Sequence, residues 1–318
     1  MRRVQQTLLN EGMWVNLTKI NYFNHYSTGK GRPQIVLVGN GLERTSGQPD
    51  WDALIDILKI SNCPELDQET RRRIPFPLLY ELLSSQYPAP STLSAEDIKN
   101  EETRLSKAMK ELKNVSNPNL DMLPALNADH IFTTNYSYCI EKAFCPKKDF
   151  SISKVRSDMR FNFNSELQDG KPRREGNYRL HSGYLAENSS GKNVGIWHIH
   201  GESSVPRGVI VGHDRYGRLL SRMEKVCDTQ KYGKSLKQPI LKQFTSWPEL
   251  FLYGDVYVIG LGFYLSEFDL WWLLRRKQRE RYADGKVYFY DNGNKKSNLD
   301  RDLLMKANGV IINPGIEK

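Results

Sequence analysis

The chain lacks the features that would tie it to a secreted, membrane-spanning or metal-stapled class. Its four cysteines, Cys63, Cys139, Cys145 and Cys227, form no CxxC pair. That argues against a zinc ribbon and, in a chain of 318 residues, against a disulfide framework. They read as reduced, packed thiols. No apolar run approaches the roughly 18 residues of a membrane span. The opening residues MRRVQQTLLNEGMW carry two arginines but neither the continuous apolar stretch nor the small-residue cleavage site of a signal peptide. A soluble, cytoplasmic protein with no membrane partner is therefore expected. Internal repeats are absent too.

What is present suits an ordinary globular core, with 39% hydrophobic and 26% charged residues. The net charge of +9 would suit a polyanionic partner. The basic residues are scattered, however, and their densest runs, at 71–73 and 275–281, fall in expected helices where a solvated face is the simpler reading. Nucleotide phosphate would profit from the charge as well as nucleic acid would, and nucleic acid is not favoured.

Along the chain, residues 1–33 read as an irregular lead-in. Residues 34–41 (QIVLVGNG) form a strand and glycine turn, followed by a loop and by Asp50, placed to cap a helix over WDALIDILKI. Between residues 64 and 128 strand-like runs disappear, and two helical stretches, PFPLLYELLSSQ and AEDIKNEETRLSKAMKELKN, predict an inserted helical lobe. Strand HIFTTNY follows, then a short helix near residues 138–144. Residues 146–192 are polar and glycine-rich, as in a hairpin or an excursion over the site rather than core. From VGIWHIHG onward the pattern alternates: helices near 218–226 and at SWPELFLYG, strand DVYVIGLGF, helix SEFDLWWLLRRKQRERY, strand KVYFYD, helix SNLDRDLLMKAN, strand GVIIN. Such alternation implies an α/β fold: a Rossmann-like parallel sheet with helices on both faces and an inserted helical lobe, residues 34–318 forming one domain.

Four of the strands end in small or polar residues. In an open parallel sheet the ligand crevice lies outside the carboxyl ends of the strands, so Gly39, Gly41, Asn135, His200, Gly260 and Gly262 are expected to converge there. Gly39 and Gly41 around Asn40 could let the backbone approach a pyrophosphate, or could simply make a tight turn. The third glycine of the dinucleotide fingerprint and the acidic residue after the next strand are both missing, so a hydride-transfer dehydrogenase is not supported. Asn135 could cap a helix starting at Ser137, or could orient a ribose hydroxyl or a water. His200 follows His198 by two residues and shares its strand face, with Ile199 opposite. The two could hold a metal, but no carboxylate adjoins them, so no metal is expected. A histidine acting as general base, or one simply packed, are the other readings.

The segments GNGLERTSGQPDWDALI, FTTNYSYCIEKAF, WHIHGESSVPRGVIVGHDRYG and VYVIGLGFYLSEFDLWWLL together resemble the sirtuin-like NAD-hydrolase domains of bacterial anti-phage defence proteins. The resemblance implies NAD as substrate, no metal, and Asn135 and His200 as the catalytic pair. It places Gly39, Asn40, Gly41, Thr134, Ser137, Gly260 and Gly262 along the dinucleotide. Tyr216 matches a tyrosine of the family without an assigned role. Two departures stand out: Ser137 where the family carries aspartate, and Asn40, Glu43 and Arg44 where it carries alanine and small residues. The implied activity is NAD glycohydrolysis that depletes cellular NAD, in an oligomer or hetero-complex, switched on by a protein partner or nucleotide signal. The alternatives are a deacylase or ADP-ribosyl transferase, and a catalytically weak nucleotide-sensing or DNA-associated subunit.

Overall fold

A computed structural model describes residues 32–44, 47–49, 51–61, 63–84, 94–145, 150–162, 176–227, 246–280, 285–290 and 299–313. Most of the lead-in, Asp50 and part of the 146–192 segment lie outside the described residues.

Eight strands make one sheet: β1 (Gln34–Val38), β2 (His130–Thr133), β3 (Arg160–Asn162), β4 (Ser182–Glu187), β5 (Asn193–His198), β6 (Asp255–Ile259), β7 (Val287–Tyr290) and β8 (Val310–Asn313), in the order β3-β4-β5-β2-β1-β6-β7-β8. The six strands from β5 to β8 in that order are parallel. Ranked by chain position they run 3-2-1-4-5-6, the dinucleotide-binding arrangement, whose direction of winding reverses between β1 and β6. The expected α/β Rossmann-like architecture is what the chain forms.

Burial on both faces explains the near-continuous apolar strands. In β1, Ile35 and Leu37 enter one hydrophobic cluster while Val36 and Val38 enter the cluster on the opposite face. The first cluster is covered by the helices His213–Val226, Trp247–Tyr253 and Phe268–Arg279, through Leu219, Met223, Trp247, Phe251, Leu270 and Leu273. The second is covered by Pro118–Asp121 and Cys139–Phe144, through Leu120, Cys139 and Ile140. Each such fully buried side chain contributes about 1.5–3 kcal/mol.

The inserted lobe is helical as expected, with helices at Gln68–Arg73, Phe76–Ser84 and Ala95–Glu111. A Ser94–Asp97 capping box opens the last of these. Leu105, Ala108 and Met109 of Ala95–Glu111 pack with Leu54, Leu58 and Tyr80 against Tyr136, Val209 and Val211. The lobe therefore seats on the carboxyl end of the sheet, beside the segment that carries Asn135.

The described part of the 146–192 segment pairs as the hairpin reading expects, but it joins the sheet and the core instead of lying over the site. It supplies β3 and β4, which extend the sheet antiparallel beyond β5, and Phe161, Leu180, Tyr184 and Ala186 are buried. Its polar composition conceals this because β3 has three residues and its apolar positions are single residues between polar ones.

One buried charge holds two helices together. The Lys277 ammonium donates to the carbonyls of Phe251, Leu252 and Gly254 at 2.9, 2.7 and 2.7 Å, closing the C-terminus of Trp247–Tyr253. Lys277→Met is expected to leave these acceptors unpaired and to lower the unfolding free energy by about 3 kcal/mol or more in urea denaturation. A loss below about 1 kcal/mol would show the cap to be dispensable.

Candidate active site

β5, β2, β1 and β6 are neighbours in the sheet, and the expected residues lie in the segments that follow them. Asn135 follows β2. Its backbone N–H donates to Thr133 Oγ1 at 3.0 Å, and its Nδ2 donates to Glu43 Oε1 at 2.8 Å, with the Gly39 carbonyl at 3.5 Å. Ser137 Oγ donates to the other oxygen of Glu43 at 2.6 Å. The helix beyond starts at Cys139 and has no side-chain cap, so the capping reading of Asn135 fails. Burial pushes the Glu43 carboxyl above the usual carboxylate range, with the Ser137 and Asn135 bonds pulling the other way.

The two histidines do not share a face. β5 ends at His198, and the chain turns at Gly201, which adopts φ +91°. His198 lies among Tyr138 and Tyr184. Its Nδ1 bonds the Asn135 carbonyl at 2.9 Å and its Nε2 bonds Glu141 Oε1 at 2.8 Å. Burial opposes charge on this ring, but the Glu141 carboxylate more than offsets it and the pKa is raised.

His200 is fully buried on the other side. Its Nε2 bonds Asp269 Oδ2 at 2.9 Å, and Nδ1 stands 3.9 Å from Glu267 Oε2. Tyr216, whose role the sequence leaves open, packs edge-on to the His200 ring with centroids 5.6 Å apart and donates to Glu267 at 3.3 Å. Burial again opposes charge on His200 and Asp269 outweighs it, raising the pKa. With Nε2 held by Asp269, Nδ1 is the nitrogen left for proton transfer. Ligand atoms of His200, Glu267 and Asp269 lie within 4.8 Å of one another. Carboxylates far along the chain thus reach this histidine, and the expectation of no metal loses its argument from a missing third ligand.

The glycines are used for close approach between loops. Gly39 N–H donates to Ile259 O at 3.0 Å and Gly41 N–H to Gly260 O at 2.7 Å. A Cβ on Gly41 would stand 2.6 Å from that carbonyl, and Gly260 itself adopts φ +63°. Two N–H groups expected to face a pyrophosphate are therefore engaged by the opposite loop. Gly262 packs against the Tyr264 ring. Asn40 Nδ2 donates to the Pro49 carbonyl at 3.2 Å. A cavity of about 30 Å³ opens beside them, its wall including Asn40, Glu43, Thr134, Asn135 and Ser137. Asn135 Oδ1 and Thr134 Oγ1 are buried with no hydrogen-bond partner.

This arrangement, a doubly wound sheet with an amide after β2 and an acid-supported histidine after β5, defines a Rossmann-like α/β protein. The SIR2-like domain family model matches residues 129–312, more than half of the chain, and the chain belongs to that family. Members use NAD as substrate, so membership supports an NAD-related enzymatic function. No curated protein matches the chain. Among the described residues, no helix is long and apolar enough to cross a membrane.

Sequence reasoning did not find the acids. Glu141, Glu267 and Asp269 are fully or almost fully buried, yet each adjoins apolar residues on a helix or its cap, where an acid usually points to water. The available signal was two acids in the short stretch YLSEFD directly after a strand-end glycine pair.

Burial pushes the Glu267 carboxyl up to about 7, with His200 opposing and Asp269 adding to the rise. Its unfolded value is near 4.5. Below that pH both states are protonated. As pH rises the unfolded state ionises first, so stability is lost between about 4.5 and 7. The raised His200 pKa acts in the same direction, its contribution present below about 6.5 and lost as pH passes the folded value. Glu267→Gln is expected to flatten this decline in urea denaturation at about pH 5 and about pH 8. Equal slopes in the two proteins would overturn the assignment.

Proposed function

We propose that the chain is an NAD glycohydrolase that cleaves the nicotinamide–ribose bond, with Asn135 and His200 as its catalytic pair. The observation that carries this reading is the Asn135 amide. In a family that uses NAD, it is buried at a strand end, held through Nδ2 by Glu43, and left with an unpartnered oxygen at a cavity.

Nicotinamide leaves as a neutral molecule from a cationic ring, so no strong general acid is needed. The barrier lies in an oxocarbenium-like ribose. The amide can position that ribose or a water. His200 Nδ1, its ring fixed by Asp269, can accept a proton from a ribose hydroxyl. The physiological setting we propose is anti-phage defence by NAD depletion, which the motif resemblance suggests and which NAD levels in infected cells would test.

The interlocked glycine loops and the full burial of His200 favour a resting form whose crevice must open before NAD engages. The purified chain alone is therefore expected to release nicotinamide slowly until a protein partner, a nucleotide signal or self-assembly opens it. Fast release that is independent of protein concentration and of any partner would rule this out.

In the active form, nicotinamide release from NAD is expected without any acylated peptide. Asn135→Ala should abolish it, and His200→Ala should slow it by roughly 10²-fold or more, with folding preserved. Release that depends on the peptide would replace hydrolysis with deacylation. Equal turnover by wild type and Asn135→Ala would refute the site.

A further inference from the structure

The catalytic pair leaves one matter open, namely what holds and deprotonates the attacking water, and a separate group of residues meets that need. Glu43 ends the helical turn Asn40–Glu43 after β1 and is 2% exposed, a position where an acid is costly unless bonded. Both its oxygens are engaged, Oε1 by Asn135 and Oε2 by Ser137. Because Nδ2 is committed to Glu43, the amide orientation is fixed and Oδ1 is the atom left over.

Oδ1 has a companion in Thr134 Oγ1. Both are buried, both are without a partner, and both residues line the cavity that Glu43 also lines. Its volume of about 30 Å³ exceeds the roughly 10–15 Å³ that a water needs, and a buried water needs two to four polar partners. Asn135, Thr134 and Glu43 can provide three. A carboxylate oxygen has lone pairs to spare after accepting one bond each from Asn135 and Ser137.

We infer that this cavity is the seat of the nucleophilic water, held by Asn135 Oδ1 and Thr134 Oγ1, with Glu43 as the general base that takes its proton. The inference rests on the glycohydrolase reading and narrows it. The water oxygen bonds to ribose C1′ as the C1′–nitrogen bond breaks, and the bonding pair leaves with nicotinamide and neutralises its ring. The water proton passes to Glu43 and then to solvent, so NAD and water give ADP-ribose, nicotinamide and a proton. His200 is left with the ribose hydroxyl alone. Glu43 must be ionised to act, so turnover should fall toward acid pH. The titratable groups facing it are His198 from β5 and Glu141 and Cys139 from the helix Cys139–Phe144.

The test compares full-length wild type with Glu43→Gln, which keeps the shape and an oxygen for Asn135. The expected result is a fall in kcat of roughly 10²-fold, a KM for NAD within about two-fold, since NAD itself is not held by this group, and loss of the acidic limb of the pH profile. In Glu43→Ala, added formate should restore part of the nicotinamide release by supplying a carboxylate in the vacated space, with the acidic limb of the pH profile moved to follow the ionisation of formate, a shift that a merely structural role would not produce. An unchanged kcat, a loss confined to KM, or a retained acidic limb would overturn the inference while leaving the glycohydrolase intact. Wild type that releases no nicotinamide under any activating condition would instead bring down the parent reading. Should Glu43→Gln fail to fold, Glu43→Asp, which keeps the charge and withdraws it, is judged by the same division between kcat and KM and the same pH profile.

Discussion

Everything at the carboxyl edge of this sheet follows from placing acids where water is excluded. Glu43, Glu141, Glu267 and Asp269 stand at the ends of strands whose side chains are aliphatic and aromatic, and a bare carboxylate there would be prohibitively costly. Each is therefore matched. Glu43 has the amide of Asn135 and the hydroxyl of Ser137, Glu141 has His198, and Asp269 has His200, while Tyr216 donates to Glu267. These pairings fix which atom of Asn135 and which nitrogen of His200 remain uncommitted. In the proposed mechanism the reactive atoms are these two.

The same constraint explains how much of the molecule could be read from the chain. The strand-and-helix alternation was legible because both faces of the sheet are covered, which forces continuous apolar strands such as IVLV and amphipathic helices between them. The inserted lobe was legible for the converse reason, since its residues follow a helical period with no β-branched run. Asn135, His200, Gly39, Gly41, Gly260 and Gly262 were legible as places where an apolar strand stops at a small or polar residue, and the structure joins Asn135, Gly39, Gly41 and Gly260 directly while setting His200 among Tyr216, Glu267 and Asp269.

What stayed hidden depends on contacts between distant segments. A glutamate two residues after Gly41 looks like a loop residue until β2 delivers Asn135 beside it. Glu267 and Asp269 look like the solvent side of a helix start until the turn after β5 swings His200 into them. The supposed common face of His198 and His200 was misread because alternation holds only while a strand lasts, and β5 stops at the first of the two. The pairing of β3 and β4 into the sheet escaped notice because the edge strand β3 has three residues, too few to show a period of two.

The joint between Gly41 and Gly260 bears on synthesis. One half follows β1, the first of the described strands, and the other follows β6, the sixth. Asp269, which holds the His200 ring, emerges later still. A nascent chain that ends before β6 has its amide and its histidine but neither the facing loop nor the acid that orients the imidazole. The setting of His200 described above therefore cannot form until the helix Phe268–Arg279 has been synthesised.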